Sequence, residues 1–251
     1  MFLATHGVLR SLSGFVPPVF NNSYSIGLDG ISDYVTSNSN YTELDGVNKA
    51  SFSMWLKPIT GGSTLRTVFQ IGDGSSSGVN GVCQLFLFKN NRIDFSIDSG
   101  SFFGRADISS INYDNWNHIM ITVDLTQTNP FRCYVNGVDE TTGDNMGSKT
   151  SFPNATEPLY IGEFATGQYT PFLGNIDEFA IWSGFALSST NVSSIYNNGA
   201  PTNLNFTSGV SSPTTYYRFG DGDASPDILD HGSSSNDATM QSFSTFSTDV
   251  P

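Results

Sequence analysis

Short runs of alternating apolar and polar residues recur along the chain. In the segment from Ser51 to Pro58, Phe52, Met54 and Leu56 share one face, and Ser51, Ser53, Trp55 and Lys57 share the other. Between residues 92 and 98, Ile93, Phe95 and Ile97 oppose Asp94, Ser96 and Asp98. Between residues 117 and 124, Ile119, Ile121 and Val123 oppose His118, Met120 and Thr122. A period of two predicts strands with one buried face. The run from Cys83 to Lys89 is apolar on both faces, which predicts a central strand covered on both sides.

Turn residues divide these runs. Asn90-Asn91 and Asn136-Gly137 tolerate positive φ and predict two-residue hairpins. The Gly-rich stretches 61–63 and 72–81 read as loops. One helix is predicted over 187–199, with Ser188 or Ser189 as N-cap, Val192, Ile195 and Tyr196 at helical spacing, and Gly199 as the stop. Short strands separated by turn clusters define an all-β sandwich or barrel.

Composition narrows the function classes. The chain has 251 residues, 13% of them charged, and a formal net charge of −13. Ordinary domains carry about 25% charged residues. With no basic stripe to neutralise phosphates, nucleic acid is excluded as a partner. No apolar run reaches 18 residues, so membrane insertion by a helix is not expected. Each of the two cysteines, Cys83 and Cys133, sits in a predicted strand, and free, buried thiols are expected unless the strands prove adjacent and in register.

Five segments in order resemble the laminin-G-like, concanavalin A-like family of jelly-roll sandwiches. They are SFSMWLKP (51–58), WNHIMITVD (116–124), FRCYVNGV (131–138), LYIGE (159–163) and FLGNIDEFAIW (172–182) with the helix after it. The resemblance covers about residues 23–200. It implies a two-sheet antiparallel jelly roll with one short helix near 188–198. The segment YYRFGDG and the Asp, Gly and NDATM positions after it are similar to a stretch that normally opens such a domain. Here it comes late, so residues 214–251 are expected to extend the sandwich (21–251) with further strands. The ends of the chain resemble virion structural proteins of tailed phages from marine bacteria.

Residues 1–20 read as an irregular arm, stiffened by Pro17 and Pro18, whose Phe2, Leu3, Val8, Leu9 and Phe15 need a partner surface. The expected setting is a virion, with other virion proteins and further copies of the chain as partners and cell-surface polysaccharide as a target. An extracellular lectin or carbohydrate-binding module, with or without calcium, is the competing setting.

Catalysis is not expected. Glucanases of this fold carry Glu, Asp and Glu at alternate positions of one strand, and no such pattern occurs. Asp177 and Glu178 are adjacent, which in a regular strand sends them to opposite faces. Asp177 is expected to bond amides of a neighbouring loop. His118 lies in a strand and reads as structural, and no Cys/His cluster has zinc spacing. Trp116, at a strand start, is expected to fill the gap between sheets, and Gly174 to allow close backbone approach.

For calcium, the resemblance to pentraxins points to Glu163, just after the LYIG strand. The loop residues Asp73, Asn80 and Gln168 are placed to complete an oxygen cage. Phe164 and Ala165 stand where that family has further ligands. For sugars, Phe102, Phe103, Tyr113 and Tyr169 are strand-end or loop aromatics able to stack on pyranose rings, or else edges of the core.

Overall fold

A computed structural model describes residues 19–72, 82–98, 102–108, 110–163, 165 and 170–251. The first strands are β1 (Ile26–Asp29), β2 (Tyr34–Ser37), β3 (Lys49–Pro58), β4 (Leu65–Ile71), β5 (Cys83–Phe88) and β6 (Arg92–Ile97). Next come β7 (Phe102–Asp107), β8 (Asn117–Asp124), β9 (Phe131–Val135), β10 (Val138–Asp139), β11 (Thr141–Asp144) and β12 (Leu159–Ile161). Strand β13 (Leu173–Ser183) leads into helix α1 (Ser189–Tyr196), and β14 (Thr215–Tyr217), β15 (Asp227–Ile228) and β16 (Ala238–Gln241) end the order.

They form two antiparallel sheets. One runs β1-β13-β3-β8-β9-β10, with β14 also on β13. The other has nine strands, ordered β11-β7-β6-β5-β4-β12-β2-β16-β15. The two-sheet antiparallel jelly-roll sandwich that the family resemblance implied is therefore the fold. The late segment feeds both sheets: β14 pairs with β13, and β16 pairs with β2. Asp230 ties this segment together, accepting from the backbone N–H of Tyr216 (2.8 Å), Gly232 (2.8 Å) and Asn236 (3.1 Å).

The core between the sheets is aromatic. The Phe52 ring of one sheet lies 5.3 Å from Phe69 and 5.2 Å from Phe95 of the other, and Phe69 lies 5.4 Å from Phe179. All four are fully buried, each stabilising the fold by about 1.5–3 kcal/mol through removal from water. Cys83 and Cys133 are free and buried here, one in each sheet, and burial pushes both thiols up in pKa.

The prediction of one buried face fails for β3 and β8. Ser51, Ser53, Trp55, His118, Met120 and Thr122 are buried as well. A second apolar layer covers this outer face: Val192 and Ile195 of α1, with Leu187 and Leu204, pack against Met120, Ala180, Trp182 and Tyr216. The polar members find partners beneath it. The Ser51 hydroxyl donates to the Phe185 carbonyl, and Ser53 Oγ lies 2.8 Å from His118 Nε2.

Local signals hold with small differences. Ser188 is the N-cap, in a capping box with Asn191, but the helix turns left-handed at Asn197 (φ 46°), before Gly199. Asn136-Gly137 makes the two-residue hairpin, with φ of 51° and 80°. The Asn90-Asn91 hairpin is instead a three-residue loop, since Phe88 pairs with Arg92 and only Asn91 has positive φ; this is the left-handed third position of such loops. Gly174 has φ 139°, and a Cβ there would lie 2.1 Å from the Lys57 carbonyl oxygen. Trp116 does not fill the gap between sheets. It is half-buried at the surface and donates from Nε1 to Asp249 Oδ1 (3.0 Å).

Candidate functional site

With one sheet covered on its outer side by α1, the outer face of the nine-stranded sheet is the other strand surface, buried at Thr67, Gln70, Phe86 and Ser96 and half-buried at Thr36, Tyr160, Gln84 and Phe103. Strand alternation there turns core residues such as Val35, Ile161, Phe69, Leu85 and Phe95 inward. Their neighbours turn outward, and register lines them up. Thr239 pairs with Thr36, Thr36 with Tyr160, Tyr160 with Gln70, Gln70 with Gln84, Gln84 with Ser96, and Ser96 with Phe103. One row of hydroxyl, amide and aromatic side chains thus crosses seven strands. At a strand spacing of about 4.8 Å it is roughly 29 Å long.

A parallel row lies beside it. Thr67 pairs with Phe86, Phe86 with Asp94, and Asp94 with Arg105. Arg105 holds Asp94 through two bonds, Nε to Oδ1 at 2.9 Å and Nη2 to Oδ2 at 3.1 Å. Its guanidinium also stands 5.4 Å from the Phe103 ring centre. Tyr34 and Tyr160 rings lie 6.2 Å apart.

Three side-chain atoms on this face are buried and have no partner among the described residues: Thr67 Oγ1, Gln70 Nε2 and Ser96 Oγ. Gln70 and Thr67 are 0% exposed. Leaving such a group unpaired costs about 1–3 kcal/mol, so native structures seldom do it outside a binding or strained site. The Gln70 amide accepts at Oε1 from the Ala165 N–H (2.9 Å), and its Nε2 is shut off from solvent.

The chain leaving β12 is held against β4. Gly162 N–H donates to Val68 O (2.8 Å), and Thr67 N–H donates to Thr170 O (2.9 Å). Glu163 follows directly, half-buried, and burial raises its carboxyl above the ordinary range. Of its three expected companions, Asp73, Asn80 and Gln168 all lie outside the described residues. Among the described residues no group of three acidic, His or Cys side chains could hold a metal ion.

The sugar-binding candidates separate. Phe103 belongs to the outer row. Of Phe102 only the backbone, paired with Ile97, is described. Tyr169 lies outside the described residues, as do Phe2, Leu3, Val8, Leu9 and Phe15 of the arm. Tyr113 is elsewhere, at the tip of the β5–β6 hairpin, where its hydroxyl donates to Phe88 O (3.4 Å). Two adjoining clefts lie there. One, about 420 Å³, is lined by Thr64, Phe88, Lys89 and Asn90; the other, about 180 Å³, by Thr60, Gly61, Lys89, Asn91 and Tyr113. Sequence reading missed Gln70, Gln84 and Tyr160, whose only signal was an outward parity in short strands.

Asp177 and Glu178 depart from the expected geometry. The β13–β3 ladder shifts register between Asp177 and Ala180, and Glu178 has φ 48°. Both carboxyls are buried. Asp177 accepts from the Asn22 side chain (3.0 Å) and the Glu178 N–H (2.8 Å), not from a neighbouring loop's amides. Glu178 accepts from the Tyr216 hydroxyl and from Arg218 Nε (3.2 Å). His118 is fully buried, and burial lowers its pKa to about 3.

Similar folds occur in proteins of several organisms. A protein of Bacteroides ovatus ATCC 8483, provisionally named a carbohydrate binding protein, superposes with a TM-score of 0.65 at 15% identity, over 91% of this chain and 60% of its own. The chain thus spans less than two thirds of that protein. The heptameric SAP-like pentraxin of Limulus polyphemus gives 0.57 at 13% identity, over 88% and 95%. The CBM40 of the Ruminococcus gnavus IT-sialidase, solved with α2,3-sialyllactose, gives 0.54 at 12% identity, over 67% and 94%. A search of the curated proteins finds no match. The Laminin_G_3 family model matches residues 29–193, and the chain belongs to that family of the concanavalin A-like lectin/glucanases superfamily.

Proposed function

We propose that this chain is a non-catalytic carbohydrate-binding module whose binding surface is the outer face of the nine-stranded sheet. The observation that carries the reading is the row that register lines up across this face, in which Thr36, Tyr160, Gln84 and Phe103 keep part of their surface in solvent. Saccharides offer what such a surface matches: hydroxyls for amide and hydroxyl side chains, and apolar ring faces for aromatic rings. The carbohydrate-binding roles in the names of the Bacteroides and Ruminococcus proteins support the same reading.

Against catalysis stands the acidic pair. Asp177 and Glu178 are buried and bonded to Asn22, Tyr216 and Arg218, leaving neither free to act as acid or nucleophile. The setting is extracellular, and display on a virion, with the N-terminal arm as anchor to neighbouring subunits, rests on the likeness of the chain ends alone. Calcium through Glu163 is a further element of the proposal.

The test is a glycan array read with calcium and with chelator, followed by titration calorimetry on the best ligand. Tyr160→Ala removes a ring on which a pyranose face would stack, and is expected to weaken binding at least tenfold. Gln84→Ala, at a half-buried position of the same row, is expected to weaken it severalfold. No glycan bound under either condition, or full affinity in both variants, sinks the proposal. Binding unchanged by chelator removes calcium from it.

A further inference from the structure

The cleft at the β5–β6 hairpin has a charge feature that the sheet face lacks. Every other lysine and arginine among the described residues has a carboxylate within ion-pair distance. Lys89 and Arg66 do not, and both sit at this cleft. Lys89 is exposed and forms a wall of both adjoining spaces. Arg66 is buried beneath, and its guanidinium donates to three carbonyls, those of Ile59 (2.8 Å), Leu173 (3.0 Å) and Gly61. It also lies 5.9 Å from the Tyr113 ring centre.

Neither forms an ion pair, and although the charge of Asp114 acts on Arg66, two cations against one carboxylate leave a local positive spot in a chain of net charge −13. The nearest carboxylate there, Asp114, is engaged by Thr60, accepting from its N–H (2.9 Å) and its hydroxyl (2.5 Å). Around the spot stand two aromatic rings, Tyr113 and Phe88, with Asn90, Asn91, Thr60 and Thr64 between them. An aromatic ring, amide and hydroxyl groups and an unpaired ammonium together suit a sugar that carries a carboxylate.

We infer that this cleft is a second binding site, separate from the sheet face, for a carboxylate-bearing saccharide unit such as a hexuronate. The inference rests on the carbohydrate-binding reading, and names an additional site and its ligand class. The carboxylate would pair with Lys89 within the field of buried Arg66, and the sugar ring would lie against Tyr113. Because Lys89 is exposed, the attraction is screened by salt.

The full chain is titrated with tetragalacturonate and with its neutral counterpart, galactotetraose, by calorimetry at low and high salt. The expected result is binding of tetragalacturonate that weakens at least tenfold in Lys89→Gln and in Tyr113→Ala, weakens with salt, and persists in Gln84→Ala. Lys89 is solvent-exposed, so the variant keeps its fold, checked by an unchanged Tm. Galactotetraose equal to tetragalacturonate, or Lys89→Gln without effect, overturns the inference. Loss of tetragalacturonate binding in Gln84→Ala also overturns it, since the sheet face would then be the acidic-sugar site. Failure of Tyr160→Ala to affect any glycan, with Lys89 dependence intact, defeats the sheet-face reading and leaves the cleft standing.

Discussion

Asp177 and Glu178 are neighbours in β13, yet both carboxyls turn to the outer side of the seven-stranded sheet. Asp177 is opposite Trp55, and Glu178 reaches the hydroxyl of Tyr216 in the outer apolar layer. The register shift and the left-handed φ of Glu178 cause this, because an extra residue re-aims the side chain that follows it. Glu178 pairs with Arg218, while Asp177 is held by Asn22 and the Glu178 N–H.

Their proximity predicts an inverted pH dependence. Burial, with the charge of Glu178 beside it, holds Asp177 well above the ordinary carboxylate range, and burial pushes Glu178 up to about 7. A carboxyl raised in the folded state keeps its proton where the unfolded chain has lost it. Its stabilising contribution is therefore present below the ordinary carboxylate range and is lost as pH rises through about 7. Asp177→Asn removes one charge and offers its amide to the Asn22 oxygen, which otherwise has no partner. The variant's Tm relative to wild type is expected to climb between pH 5 and pH 8 by about 2–4 °C, on the order of 1 kcal/mol. Parallel Tm curves for the two proteins would refute the shared burial of the pair.

His118 predicts the opposite sign in acid. Its pKa of about 3 lies below that of an unfolded histidine, so its contribution is complete above roughly pH 6.5 and is lost as pH falls toward 3. His118→Gln keeps a partner for Ser53 but carries no titration. Urea midpoints at pH 4 and pH 7 are expected to show wild type losing more stability than the variant, by up to about 1.4 kcal/mol per pH unit. An identical acid limb in both would mean that the imidazole is already protonated in the fold.

Gly104 tests the packing of β7 against β9. A Cβ at this position would lie 2.1 Å from the Phe131 ring, which stacks on Phe95. Gly104→Ala is expected to cost about 2–3 kcal/mol by overpacking. Gly143→Ala, whose Cβ meets only Arg105 at 3.6 Å, is expected to stay within about 0.5 kcal/mol. Chemical denaturation of both variants distinguishes a close-packed ring from one free to move aside.

Much of the fold was legible. Phe52, Phe95 and Ile121 announced their strands because a buried face demands apolar residues at every second position. Asn136-Gly137 and Ser188 announced a turn and a cap through local backbone chemistry. Phe103 and Glu163 could be singled out as an aromatic and an acid near strand ends. The single buried face misled for β3 and β8, because Ser53 and the structural His118 bond each other out of solvent beneath a second layer.

The candidate face was not legible as a face. Tyr160, Gln70, Gln84, Ser96 and Phe103 lie in five strands separated by tens of residues, and each alone is an ordinary polar or aromatic residue. Sequence by itself determined the strands, their turns and which side chains turn inward, since these follow from side-chain polarity and local φ preference. Only the tertiary structure decided which strands pair, which sheet the helix covers, and where Lys89 and Arg66 stand without an ion-pair partner. Register between distant strands depends on the packing of the whole core, and no local stretch of the chain encodes it.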